Sequence, residues 1–338
     1  FTYCPFDFLE QWQWIKSIFY TLNSKKDLKI KRLFPDGRPD GFIPDTEVHA
    51  MLERQFGDKL HPLIYDWAIK YIPSTAGEIY DPSTHDAFVD VDTTVYRNSY
   101  RPSSYTGRCA TLRARPTQWQ EYLDRLMPRE NNCTDNQGKT FPQQDYFEAY
   151  IAQRLQQPEQ PPLIAVLLRG EQGTGKNYWM DNIMRPLLGE DNFKAVSLSD
   201  ITGKFTSDLY SSLLVHIEEI NDTRGKAAEK LKKLITEETA RTEAKYQNAK
   251  VMNKYFAIVA SSNVLDPVRI EANDRRYFVP AYSKHLVNPD KTKSFFVRFT
   301  DWLENQEGLQ ELADYFYNLD ISDFNFRFPP STLDKEDI

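Results

Sequence analysis

Apolar residues between positions 113 and 160 recur at the spacing of an α-helix. Two predicted helices each carry four large apolar side chains on one face: Trp119, Tyr122, Leu123 and Leu126 in the first, and Phe147, Tyr150, Ile151 and Leu155 in the second. A polar loop at 131–138 separates the helices, and the prolines of 158–162 end the second one. The pattern predicts a helical region followed by a linker.

Beyond residue 162 the pattern changes to short, continuous apolar runs at 163–168, 213–217 and 255–261. Runs of this length are typical of strands that are buried on both faces. Helix-compatible stretches lie between them, so the alternation predicts an α/β fold with a mainly parallel sheet. Amphipathic helices are predicted within 294–317.

The first 112 residues have a mixed pattern, rich in aromatic residues and turns. Apolar spacing predicts one helix over 8–22 and another over 49–56, after a helix start at 44–47. Weak alternation over 88–100 predicts a small hairpin. We therefore expect a mixed α+β accessory region ahead of the helical region.

Composition narrows the class of protein. A chain of 338 residues, of which 40% are hydrophobic and 27% charged, is long enough for two or three globular domains. The net charge of −7 argues against a protein that binds nucleic acid with its whole surface, but it is compatible with a local basic channel. No apolar run approaches the roughly 20 residues of a membrane span, so no membrane partner is expected.

The cysteines and the first residue indicate the setting. Cys4, Cys109 and Cys133 lie far apart in sequence and form no C-x-x-C pair. This favours neither a zinc site nor a disulfide framework and fits a reducing cytosol. The chain begins with Phe1 rather than Met and shows no signal peptide, so we expect a fragment of a longer cytoplasmic protein.

The strongest chemical signal follows the first apolar run. It is the pattern G-x-x-x-x-G-K, formed by Gly170, Glu171, Gln172, Gly173, Thr174, Gly175, Lys176 and Asn177, with Tyr178 opening the helix-compatible stretch behind it. Glycines in such a loop let backbone N–H groups surround phosphate oxygens, and the helix adds its positive end. Lys176 then places an ammonium group on the β- and γ-phosphates of ATP. The alternative is a glycine-rich turn that arose by chance.

One position departs from this pattern. A phosphate-binding loop of this type usually ends in Ser or Thr, whose hydroxyl binds Mg²⁺, whereas this one ends in Asn177. An amide oxygen is also a ligand for a hard cation. We therefore expect ATP and Mg²⁺ as cofactors, with Asn177 as a candidate metal ligand.

Two further predicted strands end in polar side chains. The second apolar run ends in Glu218 and Glu219, and we assign the first carboxylate to magnesium and the second to the attacking water. The third run ends in Ser-Ser-Asn, where Asn263 is a candidate sensor of the γ-phosphate. The alternatives are a surface acidic pair and a loop cap.

Two arginines, Arg275 and Arg276, follow Asn263 by twelve and thirteen residues. An arginine from a neighbouring subunit can stabilise the charge that develops during phosphoryl transfer. Such a role requires a dimer or a ring. The alternative is a surface site for ion pairs.

Together these elements resemble the superfamily 3 helicases, in particular the primase-helicase or primase-polymerase-helicase branch found in phages and prophages. The motifs that carry the resemblance are 170–177, Glu218-Glu219, 230–246, Ser262-Asn263, 273–277 and, upstream, 97–102. The resemblance is specific over 145–285, moderate over 286–332 and weak over 1–90.

The resemblance implies an AAA+-like P-loop ATPase that forms a hexameric ring on single-stranded or forked DNA, with a primase or primase-polymerase domain upstream. It also implies a hairpin that points into the pore, with Lys245, Tyr246 and Lys250 as the matching DNA-binding residues. From the residues alone, the stretch interleaves basic side chains with tyrosines: Arg241, Lys245, Lys250 and Lys254 with Tyr246 and Tyr255. Such a mixture suits phosphate contact and base stacking, and the alternative is a solvated charged hairpin.

These expectations divide the chain into an accessory region at 1–112, a helical collar or oligomerisation region at 113–160, an ATPase core at 161–290, and C-terminal helices with a tail at 291–338. The expected function is an ATP-dependent DNA helicase of phage or mobile-element replication, acting in the host cytoplasm. Three alternatives stay open. They are a P-loop ATPase of another class (packaging, remodelling or defence), a nucleotide-bound assembly module and a small-molecule kinase.

Overall fold

The computed structural model describes most of the chain in two compact units, Phe1–Arg101 and Pro102–Ile338. The described residues are 19–23, 28–33, 39–42, 45–58, 62, 65, 74–75, 77–106, 114–202, 206–222, 228–242, 250–268, 270, 274–285 and 289–336. Within these ranges no helix combines the length and the apolar character that crossing a membrane requires.

The first unit contains two small sheets and a helix. Its elements are β1 Phe19–Asn23, β2 Leu28–Leu33, β3 Pro39–Phe42, α1 Asp45–Phe56, β4 Ser74–Thr75, β5 Glu78–Ile79, β6 Phe88–Val91 and β7 Thr94–Asn98. The strand order is β3-β2-β1-β4 in one sheet and β5-β7-β6 in the other. Helix α1 and the β6–β7 hairpin confirm two of the predicted elements.

The helix predicted over 8–22 is wrong at its end, because β1 begins at Phe19 and pairs antiparallel with β2. Positions 8–18 lie outside the described residues. Phe, Tyr and Thr favour a strand where a partner strand is available. A hydrogen-bonded neighbour further along the chain therefore outweighs the local apolar spacing.

The motif at 97–102 has a structural role in the first unit. The side-chain oxygen of the buried Asn98 accepts hydrogen bonds from the backbone N–H groups of Asp81 at 3.1 Å and Tyr100 at 3.0 Å. Its amide nitrogen donates to the Asp81 carbonyl at 2.9 Å. Asn98 thus holds the chain around the end of β7, and Arg97 adds a hydrogen bond to the carbonyl of Ala87 at 2.5 Å.

The second unit opens with the two helices predicted for the collar region, which keeps that name below. Its elements are α2 Thr117–Leu126, β8 Asn132–Thr134, β9 Thr140–Pro142 and α3 Gln143–Gln156. All eight apolar side chains predicted on the two helices are buried. A charge cluster lies beside them, in which the Arg115 guanidinium donates to Asp145 at 2.9 Å and to Glu148, while Trp119 Nε1 donates to the other Glu148 oxygen at 2.7 Å.

A five-stranded parallel sheet forms the centre of the second unit. The strands that follow the collar are β10 Ala165–Arg169, β11 Phe193–Val196, β12 Leu214–Ile217, β13 Thr239–Thr242, β14 Lys250–Asn253, β15 Ala257–Ser262 and β16 Tyr277–Phe278. The sheet has the order β11-β12-β15-β10-β16 with every pairing parallel, and β13 and β14 form a separate antiparallel hairpin. The chain is therefore mixed α/β, which confirms the predicted parallel sheet.

Short helices connect the strands, and longer ones follow them. They are a π-helical turn Met180–Met184 that continues into α4 Arg185–Leu188, then α5 Leu198–Thr202, α6 Ala228–Thr236, α7 Pro289–Asn305, α8 Gly308–Asn318 and α9 Leu333–Glu336, with 3₁₀ turns at Glu190–Asn192 and Ser207–Ser211. The core places Leu167, Val215 and Ile258 of the central strands together with Leu231 and Ile235 of α6. Burying these side chains supplies the main favourable free energy of folding for this unit.

Candidate functional site

Three polar segments meet at one edge of the parallel sheet. The phosphate-loop candidate 170–177 follows β10, the acidic pair follows β12, and Asn263 follows β15. Because β15 lies between β10 and β12, its polar end sits between the loop and the carboxylates. The carboxyl edge of a parallel sheet is the usual position of a ligand site in α/β proteins.

A cavity of about 390 Å³ lies at this edge. Its lining includes residues from all three segments and one from α7: Lys176, Asn177, Tyr178, Glu219, Ser261, Ser262, Asn263 and Phe296. The fold thus brings together side chains that are up to 120 residues apart in sequence. Glu218, Arg275 and Arg276 are not among the lining residues.

The loop has a shape that larger side chains would obstruct. Gly175 has a φ of +99°, and a Cβ atom there would lie 2.8 Å from Cζ of Phe296. A Cβ atom on Gly170 would lie 2.5 Å from the carbonyl oxygen of Ser283. The hydroxyl of Tyr122 donates to the Gly175 carbonyl at 2.6 Å. The collar and the C-terminal segment therefore determine which residues this loop accepts.

Lys176 lies almost fully buried, with its ammonium group on the loop itself. Nζ donates to the carbonyl of Gly170 at 2.8 Å and to that of Glu171 at 2.7 Å. Burial lowers the pKa of the Lys176 ammonium, and the Glu171 carboxylate partly opposes that shift. Both hydrogen-bond acceptors are neutral carbonyls rather than carboxylates, so these bonds leave the positive charge uncompensated.

Glu219 occupies a left-handed turn at the end of β12, with a φ of +48°. Hydrogen bonds on either side hold this turn: the Glu218 N–H donates to the Val196 carbonyl at 3.0 Å, and the Ile220 N–H donates to the Ser261 carbonyl at 2.9 Å. Left-handed backbone is unfavourable for residues other than glycine, and such residues cluster at functional sites. The turn is held from both neighbouring strands, β11 and β15.

The candidate metal ligands are Asn177 and Glu218. Asn177 lines the cavity, whereas Glu218 is half exposed and its Oε1 lies 4.0 Å from Nδ1 of His216. In the part of the chain that the structure describes, no three His, Cys, Asp or Glu side chains form a metal cluster. Magnesium in nucleotide sites takes one or two protein ligands plus phosphates and waters. An amide and a carboxylate therefore fit nucleotide-bound magnesium.

The two candidate arginines have different surroundings. The Arg276 guanidinium pairs with the buried carboxylate of Asp274 at 3.3 Å, and its backbone N–H donates to the same carboxylate at 2.9 Å. Arg275 is exposed, and its guanidinium carbon lies 5.9 Å from the centre of the Phe328 ring. The fold thus distinguishes a carboxylate-paired arginine from an exposed one.

The candidate DNA-binding hairpin is β13–β14. Lys245 and Tyr246 lie outside the described residues, and Lys250 begins β14, which pairs with β13. Lys254 is only 3% exposed and donates from Nζ to the carbonyl of Ile235 at 2.5 Å. Burial lowers the pKa of Lys254 to about 7. The interpretation of Lys254 as part of a DNA-facing basic set is therefore wrong, because this lysine anchors the base of the hairpin to the last turn of α6.

Three residues around the cavity carry no chemical signal in the sequence. The sequence predicts Phe296 and Tyr122 only as apolar faces of helices, and His216 only as a member of an apolar run. In the fold, the Phe296 ring lies 5.0 Å from that of Tyr178, and His216 contacts Ser261. These contacts join distant segments, so no local pattern could have indicated them.

The part of the chain that forms the candidate site is similar to known proteins. Residues 168–276 match the model of a family of unknown function (DUF5906). Over 120 residues the chain is 28% identical to the DNA primase-polymerase of Nitratiruptor phage NrS-1, a match that covers 34% of this chain and 17% of that protein. The chain is thus homologous to part of a phage primase-polymerase and matches less than a fifth of its length.

Solved structures of the NrS-1 C-terminal region share the fold. The apo A form superposes with a TM-score of 0.67 at 19% identity and covers 92% of this chain and 69% of that one. A second apo structure superposes with a TM-score of 0.66 at 18% identity and covers 93% of this chain and 69% of that one. At these identities the likeness shows the fold alone.

Proposed function

We propose that this chain is an ATP-driven DNA helicase of superfamily 3 with an AAA+-like core. It would be the motor part of a phage or mobile-element replication protein that also carries a primase or primase-polymerase region. The observation that carries the proposal is the single cavity in which Lys176, Glu219 and Asn263 meet at the ends of three parallel strands. These three groups suit phosphate binding, water activation and γ-phosphate sensing. Homology to a phage DNA primase-polymerase supports the replication context.

The loop supplies the phosphate site. Backbone N–H groups of 170–177 surround the phosphate oxygens, and the helical segment behind the loop adds its positive end. Lys176 exchanges a contact with a loop carbonyl for one with a phosphate oxygen. Because the ammonium is buried, little water screens that attraction.

The sheet edge supplies the hydrolytic groups. Asn177 and Glu218 would hold magnesium, which would supply positive charge to offset that of the phosphates. Glu219 orients the attacking water and accepts its proton, while its left-handed turn keeps the carboxylate at the cavity. The amide of Asn263 hydrogen-bonds the γ-phosphate.

A second copy of the chain completes the site. Arg275 is the better candidate for the arginine that acts in trans, because Arg276 is already paired with Asp274 inside its own chain. An arginine supplied in this way requires a closed homo-oligomer, and the resemblance to superfamily 3 favours a hexamer. The same resemblance assigns Lys245, Tyr246 and Lys250 to single-stranded DNA in the pore of that ring. The buried Lys254 links the base of the hairpin to α6.

The test is magnesium-dependent ATP hydrolysis with and without single-stranded DNA, together with unwinding of a fork, using Glu219→Gln as the inactive control. Hydrolysis that rises severalfold with DNA and disappears in the variant supports the proposal. Hydrolysis indifferent to DNA indicates another class of ATPase, such as a packaging or remodelling motor. ATP binding without hydrolysis favours a nucleotide-bound assembly module, and the Asn177 position would be its cause.

The pore assignment has its own test. Lys245→Ala combined with Tyr246→Ala should abolish DNA stimulation and unwinding while basal hydrolysis persists. DNA-stimulated hydrolysis and unwinding at the wild-type level would show that the hairpin does not contact DNA.

A further inference from the structure

His216 is an imidazole buried inside the parallel sheet, beside the candidate hydrolytic site. It lies in the middle of β12, has no exposed surface, and shares a register position with Val259 of β15. Side chains two positions further along both strands point to the same face of a sheet. His216, Glu218 and Ser261 therefore lie on one face, at the edge where the cavity opens.

Only one of the two ring nitrogens has a hydrogen-bond partner among the described residues. Nε2 lies 3.1 Å from the Ser261 hydroxyl, whereas Nδ1 is buried and unpaired. Buried polar atoms without a partner are uncommon in folded proteins and call for an explanation. Oε1 of Glu218 lies 4.0 Å from Nδ1, about 1 Å beyond a hydrogen bond.

The chemistry of the two neighbours decides where the ring proton lies. An ionised carboxylate only accepts hydrogen bonds, whereas a hydroxyl can donate. Nδ1 must therefore carry the proton to pair with Glu218, and Nε2 then accepts the proton of the Ser261 hydroxyl.

We propose that His216 is a positioning residue that donates from Nδ1 to the Glu218 carboxylate when nucleotide and magnesium bind, while Nε2 accepts from Ser261. The inference rests on the proposed function, because it assigns Glu218 to magnesium. The imidazole would fix the orientation of the carboxylate that holds the metal. Outer-shell hydrogen bonds of this kind hold a ligand in the orientation that the metal requires.

The arrangement also links the two polar strand ends. The Ser261 carbonyl accepts a hydrogen bond from the Ile220 N–H, and the Ser262 hydroxyl donates one to the Ile220 carbonyl at 2.9 Å. The acidic turn is therefore held to β15 through its backbone, and His216 adds a side-chain link between the same two elements. Asn263 follows directly on β15, so the group that senses the γ-phosphate and the group that holds the metal share one framework.

The test uses three variants that keep different parts of the ring. The Asn amide in His216→Asn reaches the position of Nδ1, the Gln amide in His216→Gln reaches that of Nε2, and His216→Leu keeps neither. The first readout is binding of a fluorescent ATP analogue, titrated with MgCl₂ and repeated in EDTA. The second is the ¹⁵N spectrum of labelled histidine in the wild-type chain.

We expect His216→Gln and His216→Leu to raise the magnesium concentration for half-maximal binding by about 10–100-fold, and His216→Asn to stay within about threefold of wild type. Binding in EDTA should be the same in all four proteins. The ¹⁵N spectrum should show a neutral ring protonated at Nδ1.

Equal losses in all three variants would mean that His216 only fills space, and no loss in any of them would mean that it does not act on Glu218. Either result overturns the inference, as does a ring protonated at Nε2. If ATP binding by the wild-type chain does not depend on magnesium, the proposed function itself is wrong, and the inference fails with it.

Discussion

The candidate nucleotide cavity and the helical collar each hold a cation with little exposed surface, but they compensate its charge in opposite ways. Lys176 donates to two neutral backbone carbonyls, and its pKa is lowered by burial. Arg115 donates to the carboxylates of Asp145 and Glu148, and attraction by the Glu148 carboxylate helps to raise its pKa despite burial. The guanidinium is paired directly with two carboxylates, whereas the ammonium contacts only carbonyls and feels the Glu171 carboxylate without a hydrogen bond to it.

This difference separates a cation suited to ligand binding from one that stabilises the fold. A buried charge is costly unless it is compensated. The collar provides its own compensation, so Arg115 stabilises the fold and is of little use to a ligand. The loop leaves part of the compensation to an anion, which makes Lys176 suited to a phosphate.

Substitutions of Arg275 and Arg276 should have the largest effects and test the same distinction, here between an exposed cation and one paired with a carboxylate. Arg275→Ala should lower ATP hydrolysis by at least about 10³-fold, because an arginine supplied in trans contributes about 10³–10⁵-fold. Arg276→Ala should mainly lower the free energy of unfolding, because the buried Asp274 then loses a partner. Mixing Arg275→Ala chains with Glu219→Gln chains should restore part of the activity, since some interfaces then have both groups. No recovery on mixing would place Arg275 outside the neighbour's site.

Substitution of the collar cation, Arg115, should have the next largest effect. Arg115→Met should reduce the free energy of unfolding by about 3–5 kcal/mol, because the Glu148 carboxylate stays buried without its charge partner. ATP hydrolysis per folded molecule should not change. Denaturant unfolding measures the first and steady-state hydrolysis the second, with the exposed Arg129→Met as the matched control. A stable variant that cannot hydrolyse ATP would contradict the structural role.

The loop cation should show the opposite pattern. Lys176→Met should lower hydrolysis by about 10²–10³-fold, the usual effect of losing one charge-stabilising donor. Its free energy of unfolding should stay at or above the wild-type value, because an uncompensated charge is removed from the interior. The exposed Lys233→Met is the control for both measurements. Severe destabilisation by Lys176→Met would show that the ammonium is structural, as Arg115 is.

The smallest expected effect is a pH dependence at the hairpin base. Burial lowers the pKa of Lys254 to about 7 from 10.5, so the unfolded chain binds more protons between these values. The free energy of unfolding should therefore rise with pH over this window, by about 2 kcal/mol from pH 7 to pH 9 for this group. Lys254→Met should remove that part of the rise. If the free energy of unfolding of the two proteins had the same pH dependence, Lys254 would be charged in the folded protein and the prediction would be wrong.

The local motifs could be predicted because their shape depends on near neighbours. The strand before Gly170, the helical segment after Tyr178 and the acidic end of β12 are each encoded within about ten residues. The parallel sheet also follows from the alternation of apolar runs with helices. The end of the predicted helix at 8–22 was wrong for the opposite reason, because the pairing of β1 with β2 depends on a partner further along the chain.

Local patterns of residue types were enough to predict an α/β fold, a loop of the phosphate-binding pattern, an acidic strand end and a polar strand end. The order of β10, β15 and β12, the pairing of Arg276 but not Arg275 with Asp274, and the burial of Lys254 become visible only in the folded chain. The same holds for His216, which faces Ser261 and Glu218. The physical reason is that strand order, burial and ion pairing come from packing between segments far apart in sequence, and the same charged residue binds or stabilises according to the partner that packing provides.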